Sequence, residues 1–148
     1  MNDDEAMRLA LQEAEGAIQH EDVPVGALVI VDGLVIASRH NERQLTGDPT
    51  AHAEILALRD AASHLGTWHL DNSTLVTTLE PCPMCAGAAL NARVAHVIFG
   101  AHDPKAGAVE TLYNLLDDPR LNHQAKITSG VLAAECGDIL SQFFAQRR

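Results

Sequence analysis

His52 and Glu54 stand two residues apart in His52-Ala53-Glu54, and Cys82 and Cys85 stand three apart in Pro81-Cys82-Pro83-Met84-Cys85. One imidazole and two thiolates are three of the four ligands that tetrahedral zinc takes. A structural site fills the fourth position with another protein ligand, whereas a catalytic site leaves it to water. The chemistry such a set supports is hydrolysis: the metal lowers the pKa of water from ~16 toward ~7, and a nearby carboxylate moves the protons. Glu54 fits that carboxylate. As a ligand it would put three negative charges around a divalent ion and leave no open position. The competing reading is a helix-start Glu stabilised by the helix dipole.

Other readings of the cysteines stay open. A C-x-x-C after a strand and opening a helix also fits a thioredoxin-like redox pair. Cys136, the third cysteine, could close a Cys3His structural site, although inside an apolar helix it reads more simply as a small core residue. His20, His40, His64, His69, His96, His102 and His123 have no ligand-like spacing and read as surface or structural.

The ligands need elements to hold them. Ala6, Leu9, Ala10, Ala14, Ala17 and Ile18 recur at helical spacing, which predicts a helix over 3–19. An apolar, β-branched run predicts a strand over 23–31. Asp32-Gly33 is a two-residue hairpin turn, and the returning strand runs over 34–38. A polar loop follows to Thr50. Helices are expected over 51–65 and 82–92, strands over 73–79 and 94–99, and a loop from Ala101 to Gly107. A short helix is expected over 109–116, a strand over 125–128 and a final amphipathic helix over 132–148. Cys82 and Cys85 then share one face of a helix start. Free N–H groups there favour the thiolate, and Pro81 and Pro83 stiffen the approach. Alternating strands and helices predict an α/β fold, a three-layer α/β/α sandwich on a central mixed five-stranded sheet, in one domain over residues 1–148. Two helix starts converging at a sheet edge make a usual α/β site.

Composition limits the partners. No apolar run approaches the ~20 residues that cross a bilayer, so no membrane partner is expected. The acidic start, Met1-Asn2-Asp3-Asp4-Glu5, does not fit a secretory signal, and three cysteines do not fit a disulfide framework. A cytoplasmic location is expected. The formal charge of −10 lends no support to nucleic-acid binding. That charge is uneven, however: residues 1–22 hold seven acids against one base, Arg8.

His-x-Glu followed by Pro-Cys-x-x-Cys is the zinc-deaminase signature. The longer segments are more specific. They are Val23-Pro24-Val25-Gly26-Ala27, Asn41, 48–54, 78–88, 99–108 and Phe143-Phe144-Ala145-Gln146-Arg147-Arg148. Across them the chain resembles the bacterial tRNA-specific adenosine deaminase family of the cytidine deaminase-like superfamily. The metal motif belongs to the whole superfamily. The Asp103-Pro104-Lys105-Ala106-Gly107-Ala108 loop and the Phe-Phe-x-x-Arg-Arg tail point to the tRNA branch.

The resemblance implies a homodimer, one Zn2+ per subunit on His52, Cys82 and Cys85, and Glu54 as proton shuttle. The implied reaction is hydrolysis of adenosine to inosine at the wobble position of a tRNA anticodon stem-loop. Asn41 then hydrogen-bonds the flipped base and Asp103 contacts its backbone or sugar. Phe144 could stack on a base, and Arg147 and Arg148 could hold phosphates. Each has a plainer reading: an Asx turn for Asn41, a turn starter for Asp103, a core face for Phe143 and Phe144, a solvated terminus for the two arginines. The rival functions are a deaminase of a free nucleobase or nucleoside (guanine or cytosine type) and a non-catalytic zinc-stabilised RNA-binding or scaffold subunit.

Overall fold

The computed structural model describes residues 1–147. α1 (Asp3–Ile18) is capped by Asn2, whose side chain accepts the Glu5 N–H, and its first turn carries three acids. β1 (Gly26–Val31) and β2 (Leu34–His40) form a hairpin. Asp32 and Gly33 both take positive φ, 52° and 76°, as a type I′ turn demands. α2 (Arg43–Thr46) is a single turn within the segment expected to be loop. Next come α3 (Ala53–Leu65), β3 (Ser73–Leu79), α4 (Pro83–Asn91), β4 (His96–Ala101), β5 (Lys126–Thr128) and α5 (Ala133–Ala145).

The sheet runs β2-β1-β3-β4-β5, antiparallel across β2, β1 and β3 and parallel across β3, β4 and β5. The two-residue strand period splits the core. Ala27, Val29, Leu75, Val97 and Phe99 face one way, onto Ala57, Leu58 and Ala61 of α3 and Ala86 and Ala89 of α4. Leu28, Val76 and Ile98 face the other way, onto Ala6, Met7 and Ala10 of α1 and Cys136 of α5. This is the expected α/β/α sandwich. Gly26 allows the closest helix approach: a Cβ there would strike the Ala10 carbonyl of α1.

Three local expectations are corrected. Strand pairing begins at Gly26 and not Val23, because Pro24 has no N–H and Val25 N–H turns back to the Val23 carbonyl at 2.8 Å. The helix after the polar loop starts at Ala53 and not Ala51, with His52 as its extended N-cap. The helix expected over 109–116 is a series of turns. The Leu112 and Leu115 N–H groups turn back to the Gly107 and Ala108 carbonyls at 2.9 and 3.1 Å, and the Asn114 side chain takes the Val109 carbonyl at 3.3 Å, so no helical ladder forms; the Val109, Glu110 and Thr111 N–H groups bond the Glu80 carboxylate.

Candidate metal centre and active site

His52 and Cys82 occupy equivalent places. Each is the N-cap of a helix on the same side of the sheet, with extended φ/ψ of −76°/148° and −74°/173°, and neither side chain caps its own helix. Both are therefore free to point at the space between the two helix starts. Pro83 occupies the first turn of α4, where a missing N–H costs nothing. Cys85, one turn into α4, is fully buried. His52 Nδ1 lies 3.6 Å from Cys82 Sγ and 3.4 Å from Cys85 Sγ, and the three ligand atoms fall within 4.8 Å of one another. This donor set fits a metal of the zinc type, with two soft sulfurs and an imidazole, three ligands in all.

Cys136 does not close the set. It is buried against Ile98 and Met7 on the opposite face of the sheet, its thiol toward the Val131 carbonyl at 3.9 Å. Burial pushes that thiol up to about 12, which suits an inert core residue. The two motif cysteines differ from it and from each other. A hydrogen bond from Cys85, with help from His52, lowers the Cys82 thiol to about 4. The same pairing and burial raise Cys85. His52 is raised, chiefly by its contact with the Cys82 sulfur.

Glu54, in the first turn of α3, is 4% exposed and its carboxyl meets the Cys85 thiol. Burial pushes it above the ordinary carboxylate range. A carboxyl so placed exchanges a proton near neutrality more readily than an exposed one. It borders a cavity of about 270 Å3, whose walls include His52, Cys82, Asn41, Asp103, Val23 and Glu80. The volume is in the range of a nucleobase and not of a whole polynucleotide.

Asn41, 8% exposed, donates from Nδ2 to the Val23 carbonyl at 2.9 Å and accepts the Ala53 N–H on Oδ1 at 2.8 Å. These bonds fix which end of the amide is which, and they tie the strand lead-in to the start of α3. One Nδ2 hydrogen remains for a ligand. Asp103 Oδ1 accepts the N–H groups of Lys105 and Ala106 at 2.9 and 3.2 Å, the turn its position suggested, while the residue lines the cavity.

The two phenylalanines divide. Phe143 is 5% exposed and Phe144 is 47% exposed, at a larger groove beside the cavity that also includes Leu140, Lys105 and Arg147. Arg147 is engaged within the chain: Nε donates to Glu21 at 2.7 Å and the guanidinium lies 3.7 Å over the Phe143 ring. Arg148 lies outside the described residues.

Two carboxylates escape sequence reasoning. Glu80, 1% exposed, accepts N–H groups from Asp103, Val109, Glu110 and Thr111 at 2.8–3.1 Å, and the Thr111 hydroxyl as well. Despite its burial, those bonds lower it to about 2. Asp22, 2% exposed, accepts the N–H groups of Gln44 and Leu45 at 2.8 and 3.1 Å. Glu80 builds one wall of the cavity and Asp22 the other. A Glu directly before Pro81-Cys82 was the available signal for the first. Nothing local marked the second.

Fold and site together fit a hydrolytic enzyme with a His/Cys/Cys cluster able to hold a metal ion. The chain belongs to the MafB19-like deaminase family, whose model matches residues 1–148. It is 50% identical over 142 residues to a tRNA-specific adenosine deaminase of Bacillus subtilis (strain 168), covering 96% of this chain and 88% of that one. It is 46% identical over 147 residues to a protein of the same description from Haemophilus influenzae, covering 99% and 85%. Among solved structures, one described under A-to-I editing by tRNA:A34 deaminases at the wobble position of transfer RNA matches with TM-score 0.88 and 42% identity, over 92% of this chain and 99% of that one. A guanine deaminase from Nitrosomonas europaea matches with TM-score 0.80 and 27% identity, over 96% and 84%.

Proposed function

We propose that this protein is a tRNA-specific adenosine deaminase that hydrolyses adenosine to inosine and ammonia at the wobble position of an anticodon stem-loop, with one zinc ion on His52, Cys82 and Cys85. The observation that carries the reading is the convergence of those three ligand atoms beside a buried carboxyl, in a chain 42–50% identical to proteins described by that activity. Zinc bound there supplies a Lewis acid that makes water nucleophilic at neutral pH.

The chain's own residues do the rest. Glu54 takes a proton from the attacking water and delivers it to N1 of adenine. It then takes the remaining proton from the new C6 hydroxyl, which becomes a carbonyl, and carries it to the departing amine. A C6–O bond forms, the C6–N6 bond breaks and nitrogen leaves as ammonia. Burial, which raises Glu54, supports this return of the proton. The remaining Nδ2–H of Asn41 donates to an acceptor on the purine. A cavity of about 270 Å3 suits a single extruded base, which an unpaired loop yields at low cost. Phe144 offers a stacking face beside it, and the Arg147-Arg148 pair adds two positive charges to the tail sequence. A homodimer is part of the same reading. No helix among the described residues is long and apolar enough to cross a membrane, and a tRNA substrate agrees with a cytoplasmic site of action.

The likeness to a guanine deaminase favours a second reading, deamination of a free base. Ammonia release from an anticodon stem-loop, free adenosine, guanine and cytidine separates the two. The expected result is release from the stem-loop alone. Turnover of a free base with none on the stem-loop rejects the proposal.

A further inference from the structure

A second side-chain cluster has no part in the chemistry above, yet it ends at the cavity wall. Glu13 of α1 accepts the Ser38 hydroxyl at 2.7 Å and meets His40 Nδ1. His20, in the loop after α1, meets Asp22 Oδ2 with its Nδ1 at 2.6 Å. The two Nε2 atoms face each other at 3.1 Å, with ring centroids 5.2 Å apart. Glu13, His40, His20 and Asp22 are thus one continuous chain of hydrogen bonds. Its far end is functional. Asp22 accepts the Gln44 and Leu45 N–H groups, which are the first-turn donors of α2, and the N-cap of α2, Glu42, supplies no side-chain cap. Asp22 therefore caps α2 from elsewhere in the chain. Asp22, Arg43 and Gln44 all line the cavity.

Counting protons constrains this chain. Each Nδ1 faces a carboxylate, and each carboxylate stays ionised. Burial works against Glu13, but the bonds from Ser38 and His40 and the nearby Arg39 charge hold it low. The bonds from Gln44, His20 and Leu45 do the same for Asp22. Both Nδ1 atoms therefore carry protons. A 3.1 Å contact between the two Nε2 atoms then needs one proton between them. With none, two lone pairs oppose; with two, two N–H groups of two cations oppose. The neighbouring charges leave this balance in place. Arg39 is committed to Asp60 and Glu42, Glu21 to Arg147, and Arg43 faces the cavity. The His40 ring has no room to swing away toward α1, since even a Cβ on Gly16 would come within 2.9 Å of it.

We propose that His20 and His40 are positioning residues for the deamination: they share a single proton, and that shared proton holds Asp22 against α2 and so fixes the rim that receives the substrate. The claim rests on the tRNA-deaminase reading for its substrate, not for its proton count. Long-range 1H–15N spectra of the zinc-loaded full chain at pH 7 read the count directly. The expected pattern is a proton on both Nδ1 atoms and one on the Nε2 pair. Two bare Nε2 atoms, or either Nδ1 bare, overturns the proposal.

Steady-state kinetics on an anticodon stem-loop give the second readout. His40→Phe and His20→Gln should each raise KM about tenfold, the effect of losing one charge-assisted hydrogen bond in the chain, with kcat within about twofold. Unchanged KM, or kcat and kcat/KM falling equally, overturns the proposal. Should the zinc-loaded wild type fail to deaminate the stem-loop at any pH, the tRNA reading falls, and the proton count still decides the relay.

Discussion

Replacing Glu80 by Gln keeps the shape of the side chain and removes its charge. Its Oε2 accepts three N–H groups and its Oε1 one N–H and one hydroxyl. An amide nitrogen placed at Oε2 would face three donors, so the amide turns the other way. There it faces the Asp103 N–H and can donate to the Thr111 hydroxyl. One buried N–H then loses its acceptor, at about 1–3 kcal/mol, and the remaining bonds lose their charge assistance. The pH linkage gives a second figure. A carboxyl lowered from 4.5 to about 2 on folding contributes about 3 kcal/mol, at about 1.4 kcal/mol per unit. Because the folded value is the lower one, this stability is present above pH 4.5 and is lost as pH falls from 4.5 to about 2.

Glu80→Gln should therefore unfold in urea about 3 kcal/mol more easily at pH 6.5, with a midpoint temperature lower by about 6–12 °C. The gap should shrink as the pH is taken below 4.5. KM for the stem-loop should rise, since Asp103 and Ala106 line the cavity from the loop that Glu80 holds. A variant within about 0.5 kcal/mol of wild type, the scatter of ordinary surface changes, or a gap that does not change with pH, refutes the reasoning.

Glu54→Gln should lower kcat by about 10²–10⁴ while zinc content, read by atomic absorption, stays at one per chain; loss of the metal would instead make Glu54 a ligand. Cys82→Ser should lose both metal and turnover, and chelation of the wild type should do the same reversibly, with activity restored by added zinc. Phe144→Ala should leave the melting temperature within a few degrees and raise KM for the stem-loop about 5- to 150-fold if a base stacks there, at about 1–3 kcal/mol. Gly26→Ala should destabilise the fold by at least about 1–3 kcal/mol in chemical unfolding, because the added methyl enters the backbone of α1.

Much of this was legible along the chain. The strands were legible as apolar runs, and only their pairing in the sheet sends Leu28, Val76 and Ile98 to one core and Ala27, Leu75 and Val97 to the other. Asp32-Gly33 specified its own turn, since both residues tolerate positive φ. The helix expected over 109–116 failed because its later N–H groups turn back to Gly107 and Ala108 and the Asn114 side chain takes the Val109 carbonyl, while a carboxylate some thirty residues away pins residues 109–111. Adjacent Phe143 and Phe144 could not be told apart until α5 had a side to lie on.

Sequence by itself singled out His52, Cys82, Cys85 and Glu54, which the fold brings to one place, because metal coordination dictates residue types and short spacings that local helix starts satisfy. Tertiary structure alone decided that Glu80 and Asp22 build the walls of the cleft, and that Cys136 stays out of it. A carboxylate's partners here are backbone amides from distant segments, and a thiol's environment depends on which face of the sheet its helix covers. Neither is written in the residues beside it.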